Sequence, residues 1–152
     1  MALIRLQVPG SLEFRDLAIR VVAAACKLVT AGDAGARASF DDQVISAFGE
    51  AFNNAAIHSY KGRPLGAVEI DIDVDPDRVT LRISDYGNTF DPTQVAEPDL
   101  DSLPESGLGL YIMRSFMDSV FYQAGAPNVL SMTKHLDPAL ASAESESKGG
   151  AR

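Results

Sequence analysis

The strongest constraint on the fold is a pair of alternating segments near the middle of the chain. Apolar residues alternate with polar ones over residues 68–74 and again over residues 79–83. The turn Asp75-Pro76-Asp77 separates the two segments, and Asp and Pro are common turn residues. Strict alternation is typical of a strand with one buried face. The sequence therefore predicts an antiparallel hairpin with one face packed in the core and the other face exposed to solvent.

Two long helices are predicted between an N-terminal strand and this hairpin. The strand pattern covers residues 3–8, and helical spacing covers about 11–30 and about 39–60. Ser11 is expected to cap the first helix, because its hydroxyl can accept a hydrogen bond from a free backbone N–H. The residues expected on the buried side of that helix are Leu12, Leu17, Val21, Ala24 and Leu28.

The second helix is expected to begin near Ser39, after a loop over residues 32–35. Asp41 and Asp42 would then lie in its first turn, where the helix dipole favours negative charge. Its apolar residues, which include Phe48 and Phe52, are expected to pack in the core rather than to form a platform for a cofactor.

Beyond the hairpin the patterns are shorter. Residues 108–118 have helical spacing, and residues 120–122 and 129–136 have the character of two late strands. The last residues, 137–152, are rich in Ala, Ser, Glu and Gly, which predicts a disordered tail. The domain is therefore expected to end near residue 136.

The composition limits the class of partner. The chain has 152 residues, which fits one domain, a net charge of −8 and a pI of about 4.6. Because duplex DNA and anionic membranes require a clustered basic patch and none is present, no direct nucleic-acid or membrane partner is predicted.

The cysteine count favours a reducing compartment, and the hydropathy predicts no membrane span. Cys26 is the only cysteine, so no intramolecular disulfide can form, and its apolar neighbours predict a small buried side chain. No apolar stretch reaches the length of a membrane span, which is roughly 18 residues or more. The N-terminus lacks the charged and apolar regions of a signal peptide.

The first candidate for chemistry is a pair of residues on the second predicted helix. Glu50 and Asn54 lie one turn apart and leave the same face of the helix. An amide oxygen suits Mg²⁺, which takes waters and substrate phosphates as its other ligands. A carboxylate one turn away can orient or deprotonate an attacking hydroxyl. Asn53 adds a polar group beside this pair, although such pairs also occur on ordinary solvated helix faces.

A second candidate stands where the hairpin ends. Asp85 is the last residue of the predicted strand and Gly87 follows it in a turn. A carboxylate at this place can accept a hydrogen bond from the amino group of adenine, and glycine lets the backbone approach the ring. A plain turn after a strand would use the same residue types.

The third candidate is a long loop that ends in glycines before a helix. Residues 88–106 contain several prolines and acids but no Lys or Arg, and they lie between Gly87 and Gly107. Loops of this length are usually functional, and we refer to residues 88–106 as the lid. Helix N-termini carry free N–H groups that bind phosphates. The residues expected to contact the phosphates are Ser106, Gly107, Leu108, Gly109 and Leu110.

The order of these three features is the order that one Mg·ATP pocket requires. Taken together, the segments Glu50-x-x-x-Asn54-Ala55-Ala56-Ile57-His58, Asp85-x-Gly87 and Gly107-x-Gly109-Leu110 resemble the N, G1 and G2 boxes of the GHKL ATPase superfamily. Residues 50–60 and 107–118 are most similar to the bacterial anti-sigma-factor serine kinases. The resemblance covers about residues 3–136.

The resemblance implies an α+β fold, a two-layer α/β sandwich of the GHKL (Bergerat) type with a mixed, mostly antiparallel sheet under one layer of helices. It implies ATP and Mg²⁺ as cofactors. Glu50 would be the base for a serine hydroxyl, Asn54 would ligate Mg²⁺, and Asp85 would hold the adenine amine with Gly87 beside it. The partners would be a serine-bearing anti-anti-sigma (STAS-like) protein and a sigma factor, bound in the bacterial cytoplasm, often by a homodimer.

Two positions depart from the pattern of this family. The lid offers no cation to the γ-phosphate, which Lys61 or Arg114 would have to supply if the fold brought them near. Pro127-Asn128 stands where a Gly-Thr often supports adenine, and Asn128 is predicted to hydrogen-bond there instead.

Three functions therefore stay open. The chain can be an ATP-dependent serine kinase that also sequesters a sigma factor, or a nucleotide-dependent anti-sigma switch with little or no kinase activity. It can also be a sensor-kinase ATPase domain that phosphorylates histidine in trans. His58 and His135 are expected to be structural rather than phosphoacceptors.

Overall fold

Five strands and three helices make up the computed structural model, which describes residues 2–94 and 108–136. The strands are β1 (Ala2–Pro9), β2 (Ala67–Asp75), β3 (Arg78–Asp85), β4 (Ser119–Gln123) and β5 (Asn128–His135). The helices are α1 (Arg15–Cys26), α2 (Ala34–Asn54) and α3 (Leu108–Phe116). Short 3₁₀ turns cover Leu12–Phe14 and Pro92–Gln94, and a π-helical turn, Ala55–Ser59, follows α2.

The strands form one sheet in the order β1-β2-β3-β5-β4, with every described pairing antiparallel. The predicted hairpin is β2–β3, in which Val74 lies opposite Val79 and Ile70 opposite Ile83. These apolar residues share one face of the sheet, and the helices cover that face because exposed apolar surface is unfavourable. The predicted α+β two-layer sandwich is confirmed.

The core lies between this face of the sheet and the helices. Its largest fully buried side chains come from every layer, and they include Phe40, Phe48, Phe52, Ile70, Ile72, Leu81, Met113 and Met132. The expectation that Phe48 and Phe52 pack in the core is confirmed, since both are fully buried and their ring centroids lie 6.2 Å apart. Among the helices within these described ranges, none is long and apolar enough to cross a membrane.

The predicted buried side of α1 was wrong except at Val21, which is partly buried against the core. Leu12, Leu17 and Leu28 are each about half exposed, whereas the buried residues of the helix are Ala18, Val22, Ala25 and Cys26. The two sets are neighbouring stripes on the same helix, and spacing alone does not choose between them. The stripe that packs on the core is the one with the smaller side chains.

The predicted end of the first helix near Thr30 was also wrong, because α1 ends at Cys26. The backbone N–H groups of Thr30 and Ala31 donate to the carbonyl oxygen of Pro76, at 3.0 and 2.9 Å. Pro76 belongs to the turn between β2 and β3. A tertiary contact with this turn therefore takes the donors that would have continued the helix. At the other end, Ser11 caps the 3₁₀ turn that precedes α1.

The second helix begins earlier than predicted. Asp33 is its N-cap, and the Oδ1 atom of Asp33 accepts a hydrogen bond from the N–H of Ala36 at 2.8 Å. Residues 34–35 are thus helical rather than part of a loop. Asp41 and Asp42 lie beyond the first turn, so the dipole argument for these two residues was wrong.

Asp41 has a different role from the predicted one. It is 7% exposed, and its Oδ2 atom lies 2.8 Å from the Nζ atom of Lys27. This ion pair joins the end of α1 to α2. Cys26 is buried beside it, and burial, together with the negative charge of Asp41, raises the pKa of the thiol to about 12. The expectation that Cys26 is a small buried side chain is confirmed.

Lys134 fixes the end of α3 to the sheet. Its Nζ atom donates to the carbonyl oxygen of Phe116, the last residue of α3, at 2.6 Å. The last carbonyls of a helix lack partners within the helix, and a cation there is favourable. Desolvation by partial burial lowers the pKa of Lys134. The contact therefore replaces water at a partly buried helix end.

Replacing Lys134 by methionine is expected to lower the free energy of unfolding by about 1–2 kcal/mol, because the apolar stem is kept while a charged donor is lost. Urea denaturation followed by circular dichroism would measure the change. Lys61→Met is the matched control, since Lys61 is exposed, and we expect it to change stability by less than about 0.5 kcal/mol. Equal midpoints for the two variants would contradict a capping role.

Candidate functional site

A cleft lies between the C-terminal part of α2 and the adjoining ends of β3, β4 and β5. Its described lining consists of Ala51, Asn54, Ala55, Ser59, Ile83, Asp85, Phe90, Pro92, Tyr122 and Leu130. Most of these side chains are apolar, and a few polar groups stand among them. Small-molecule sites usually have this composition, because apolar walls enclose the ligand and polar groups orient it.

The elements explain why Asn54 and Asp85 meet in this cleft. Ala51 and Asn54 on α2 share one face with Ala55, the first residue of the following turn, because residues three and four apart are neighbours on a helix. On β3, Ile83 and Asp85 are alternate residues and therefore point to the same side of the sheet. Small side chains on the helix leave space between the two layers.

The π-helical turn after α2 forms one end of the cleft. The carbonyl oxygen of Ser59 accepts a hydrogen bond from the backbone N–H of Asn88, so this turn is joined to the segment after β3. A Cβ atom added at Gly87 would overlap the carbonyl group of Ser59. Only glycine allows this approach, and the structure thus gives a packing reason for Gly87.

The first residues of the lid are built into the wall of the cleft. The side chain of Asn88 donates to the carbonyl oxygen of Lys61 at 2.9 Å. Thr89 donates its hydroxyl to Asn128 at 3.1 Å, and the N–H of Phe90 donates to the hydroxyl of Tyr122 at 3.2 Å. The described start of the lid is therefore an ordered wall, whereas residues 95–107 lie outside the described residues.

His58 supports this wall. Its imidazole stacks on the ring of Phe90, with centroids 3.8 Å apart and planes 14° apart. Partial burial lowers the pKa of His58, and the positive charge of Lys61 lowers it further. A neutral imidazole packed on a cleft-lining aromatic ring agrees with the expected structural role.

The carboxylate of Asp85 is held in one orientation. Its Oδ1 atom accepts hydrogen bonds from the N–H of Gly87 at 2.9 Å and from the side-chain amide of Asn128 at 3.1 Å. Asp85 is 7% exposed and lines the cleft, so its carboxylate is largely shielded from solvent. A buried acceptor in an apolar pocket is suited to select a ligand that carries a donor.

Glu50 lies one helical turn before Asn54, against the first turn of α3. A Cβ atom added at Gly109 would stand 3.1 Å from the Oε2 atom of Glu50 and 3.7 Å from its Cβ atom. The first turn of a helix carries free N–H groups and partial positive charge. The missing side chain of Gly109 thus brings a carboxylate close to a place suited to phosphate groups.

The structure brings several of the predicted site residues together and separates others. Asn54 and Asp85 line the cleft, Gly87 packs beside it, and Glu50 contacts Gly109. Asn53 is not among the lining residues. The remaining predicted residues fall into three groups by position: Leu108 begins α3, Leu110 is buried in the core, and Ser106 and Gly107 lie outside the described residues.

Sequence reasoning missed most of the apolar lining and the role of Tyr122. Ser59, Phe90 and Tyr122 carry no motif that marks them as pocket residues. Phe90 had one usable signal, since it follows the Asp85-x-Gly87 element closely and is the one aromatic residue in the sequence of the lid. Tyr122 becomes recognisable only when β4 is placed next to β5.

Cations are scarce at this site. The described lining of the cleft contains no Lys or Arg, and neither Lys61 nor Arg114 belongs to it. The side chains of both residues are exposed. Over residues 2–94 and 108–136, no group of three or more His, Cys, Asp or Glu residues could hold a metal ion by itself.

Comparisons with known proteins cover most of this chain. Residues 14–134 match the family model described as histidine kinase-like ATPase domain. A histidine kinase from Acinetobacter baumannii, AdeS, aligns with a TM-score of 0.45 and 14% identity over 87% of this chain and 68% of that chain.

Curated relatives give a narrower family. The serine-protein kinase RsbW of Bacillus licheniformis is 36% identical over 109 residues, which are 65% of this chain and 68% of that protein. The RsbW of Bacillus subtilis is 36% identical over 60% of this chain and 62% of its own length. The RsbW of Staphylococcus aureus strain Newman is 30% identical over 145 residues, which are 88% of this chain and 86% of that protein. The chain belongs to the histidine kinase-like ATPase domain family and, within it, to the RsbW group of serine-protein kinases.

Proposed function

We propose that this chain binds ATP in the cleft and transfers the γ-phosphate to a serine of a partner protein. The observation that carries the proposal is the convergence of Asn54 and Asp85 in one cleft, with Glu50 one turn away against Gly109. The adenine amino group would donate to Asp85, and the phosphates would extend along α2 toward the first turn of α3. Membership in a serine-protein kinase group supports the same reaction class.

The residues present fit Mg²⁺ as the second cofactor. Asn54 offers an amide oxygen at the cleft wall, and Mg²⁺ commonly takes one or two protein ligands while phosphates and waters complete its octahedron. The absence of a preformed acidic cluster in the described part of the chain agrees with a metal that arrives with the nucleotide. When bound, Mg²⁺ would neutralise charge on the phosphates.

Glu50 is proposed as the base that accepts the proton of the serine hydroxyl. Its carboxylate lies beside the first turn of α3, close to the expected position of the terminal phosphate. A carboxylate there can orient the hydroxyl for in-line attack and take its proton as the phosphoryl group is transferred. The phosphates and the incoming serine would meet between α2 and α3.

The protein that carries the serine is proposed to be an anti-anti-sigma (STAS-like) domain, and the chain would also sequester a sigma factor. The similarity of residues 50–60 and 107–118 to anti-sigma-factor serine kinases supports both partners. The same similarity supports a bacterial cytoplasmic location and a homodimer. Residues 1–136 would form the ATP-binding domain, and residues 137–152 lie outside the described residues.

A second candidate function is an anti-sigma switch that binds nucleotide with little or no phosphoryl transfer. The observation that favours it is the lack of Lys and Arg both in the described lining of the cleft and in the sequence of the lid. A cation near the transferred group lowers the barrier to phosphoryl transfer. Binding of ATP does not depend on that cation to the same extent.

One experiment separates these functions. The purified chain is incubated with Mg·ATP and anti-anti-sigma domains encoded near its gene, and the partners are analysed by mass spectrometry. We expect phosphoserine on a partner with the wild-type chain and none with Asp85→Ala, because that change removes the acceptor for the adenine amino group. Glu69→Ala, on the outer face of β2, is the matched control.

The alternative outcomes are distinct. ATP-dependent partner binding without phosphoserine across the whole panel would favour the switch and overturn the kinase proposal. Acid-labile phosphate on a histidine would favour the sensor-kinase ATPase domain. A chain that does not bind ATP by isothermal titration calorimetry would overturn the nucleotide site itself.

A further inference from the structure

Asn128 is a buried polar residue immediately behind the site. It is the first residue of β5, lies directly opposite Asp85 in the β3–β5 register, and is 1% exposed. It does not belong to the described lining of the cleft. A buried amide is unfavourable unless its hydrogen-bonding groups are satisfied, so its partners define what it does.

The partners of Asn128 fix the orientation of its amide. The Oδ1 atom accepts from the backbone N–H of Gly125 at 3.0 Å and from the hydroxyl of Thr89 at 3.1 Å. A backbone N–H can only donate, so the atom that faces Gly125 must be the oxygen. The Nδ2 atom therefore faces Asp85 at 3.1 Å and the carbonyl oxygens of Gly87 and Asn88 at 3.2 and 3.4 Å.

This arrangement makes the two oxygens of Asp85 different from each other. Oδ1 accepts from both Asn128 and the N–H of Gly87, whereas Oδ2 has no hydrogen-bond partner among the described residues. Without the Asn128 contact, the carboxylate would keep a single hydrogen bond, to the turn that follows it, and could rotate about its terminal torsion. The amide of Asn128 thus determines which oxygen is left for a ligand.

We propose that Asn128 is a positioning residue that holds Asp85 so that Oδ2 faces the amino group of the base, and that it thereby sets the selectivity for adenine. This inference rests on the proposed ATP site and adds a residue that acts on the nucleotide only through Asp85. It replaces the expectation that Asn128 itself contacts the nucleotide, because both ends of its amide are already used within the protein.

The test compares the affinity for ATP with that for purine riboside 5′-triphosphate, which lacks the amino group but keeps the ribose and phosphates. Wild type is expected to prefer ATP about tenfold or more, the scale of one hydrogen bond to a charged acceptor. In Asn128→Ala the preference should fall to about threefold or less, since Asp85 is no longer oriented. Thr80→Val removes a hydrogen bond to Thr133 toward the other end of the β3–β5 pair and should keep the wild-type preference.

Asn128→Asp decides the matter if Asn128→Ala does not fold. An aspartate keeps the shape and the acceptor for Gly125, but as a carboxylate it has no donor for Asp85. Two adjacent carboxylates share a proton when the pH falls, so the donor returns in acid. The preference for ATP should therefore be lost at about pH 8 and recover toward about pH 5.5, which a purely structural role would not produce.

The outcomes separate this inference from the function on which it rests. A wild-type preference in both Asn128→Ala and Asn128→Asp at about pH 8 would overturn the positioning role and leave the ATP site intact. A wild-type chain that binds both nucleotides equally would overturn the contact between Asp85 and the base, and this inference with it. In that case phosphoserine formation would still support the kinase. A chain that binds neither nucleotide would overturn both.

Discussion

Replacing Glu50 by glutamine is expected to abolish serine phosphorylation while ATP stays bound. Glutamine has the same shape as glutamate, so the contact of this side chain with Gly109 and the packing of α2 against α3 should persist. A glutamine cannot accept the proton of the serine hydroxyl. General-base catalysis typically contributes about 10²–10⁴-fold to a rate, and we expect the rate of phosphoryl transfer to fall by that factor.

The measurement is single-turnover transfer from Mg·ATP to the partner domain, with ATP affinity determined on the same samples by titration calorimetry. Glu69→Gln is the matched control, because it makes the same chemical change on the face of β2 that points away from the helices. Full transfer by Glu50→Gln would remove Glu50 as the base. Loss of both transfer and ATP affinity would instead indicate a role in binding.

Replacing Gly87 by alanine is expected to destabilise the fold and weaken ATP binding together. The added Cβ would overlap the backbone carbonyl of Ser59, which a rotamer change cannot relieve. Overpacking of this kind commonly lowers the free energy of unfolding by about 1–3 kcal/mol. Because Gly87 also donates its N–H to Asp85, a displaced turn should reorient the carboxylate and reduce ATP affinity by about tenfold or more.

Gly35→Ala provides the control for the change from glycine to alanine. Gly35 lies in the first turn of α2, and a Cβ there would stand 3.5 Å from the Oδ1 atom of Asp33, an ordinary contact. Alanine is favoured over glycine in a helix by roughly 0.5–1 kcal/mol, so this variant should be as stable as wild type or more so. Chemical denaturation of both variants would test the pair. Equal effects would argue against a steric role for Gly87.

The predictions from sequence that were confirmed depend on local patterns. The alternation over residues 68–83 determines a hairpin and its buried face, because a shift by one residue would expose every apolar side chain. Glu50 and Asn54 are four residues apart, so they lie on the same face of a helix whatever that helix packs against. The order of the motifs then indicated one nucleotide pocket and its family.

The predictions that were wrong depend on contacts with distant residues. The end of α1 is set by hydrogen bonds from Thr30 and Ala31 to Pro76, in a turn far along the chain. The buried stripe of α1 is the one with the smaller side chains, and it is chosen by how α1 packs on the core rather than by its spacing. Asp41 lies near the predicted start of the second helix, but α2 begins earlier and Asp41 forms an ion pair with Lys27 instead.

By itself, the sequence determined the hairpin and the family and predicted the chemical character of the site, because side-chain periodicity and residue type are properties of short segments. Only the tertiary structure decided which residues meet. It placed the carboxylate of Glu50 against Gly109, closed Gly87 onto Ser59, and directed the amide of Asn128 to Asp85 rather than into the cleft. These contacts join residues from different elements, and their geometry follows from how the helices pack on the sheet.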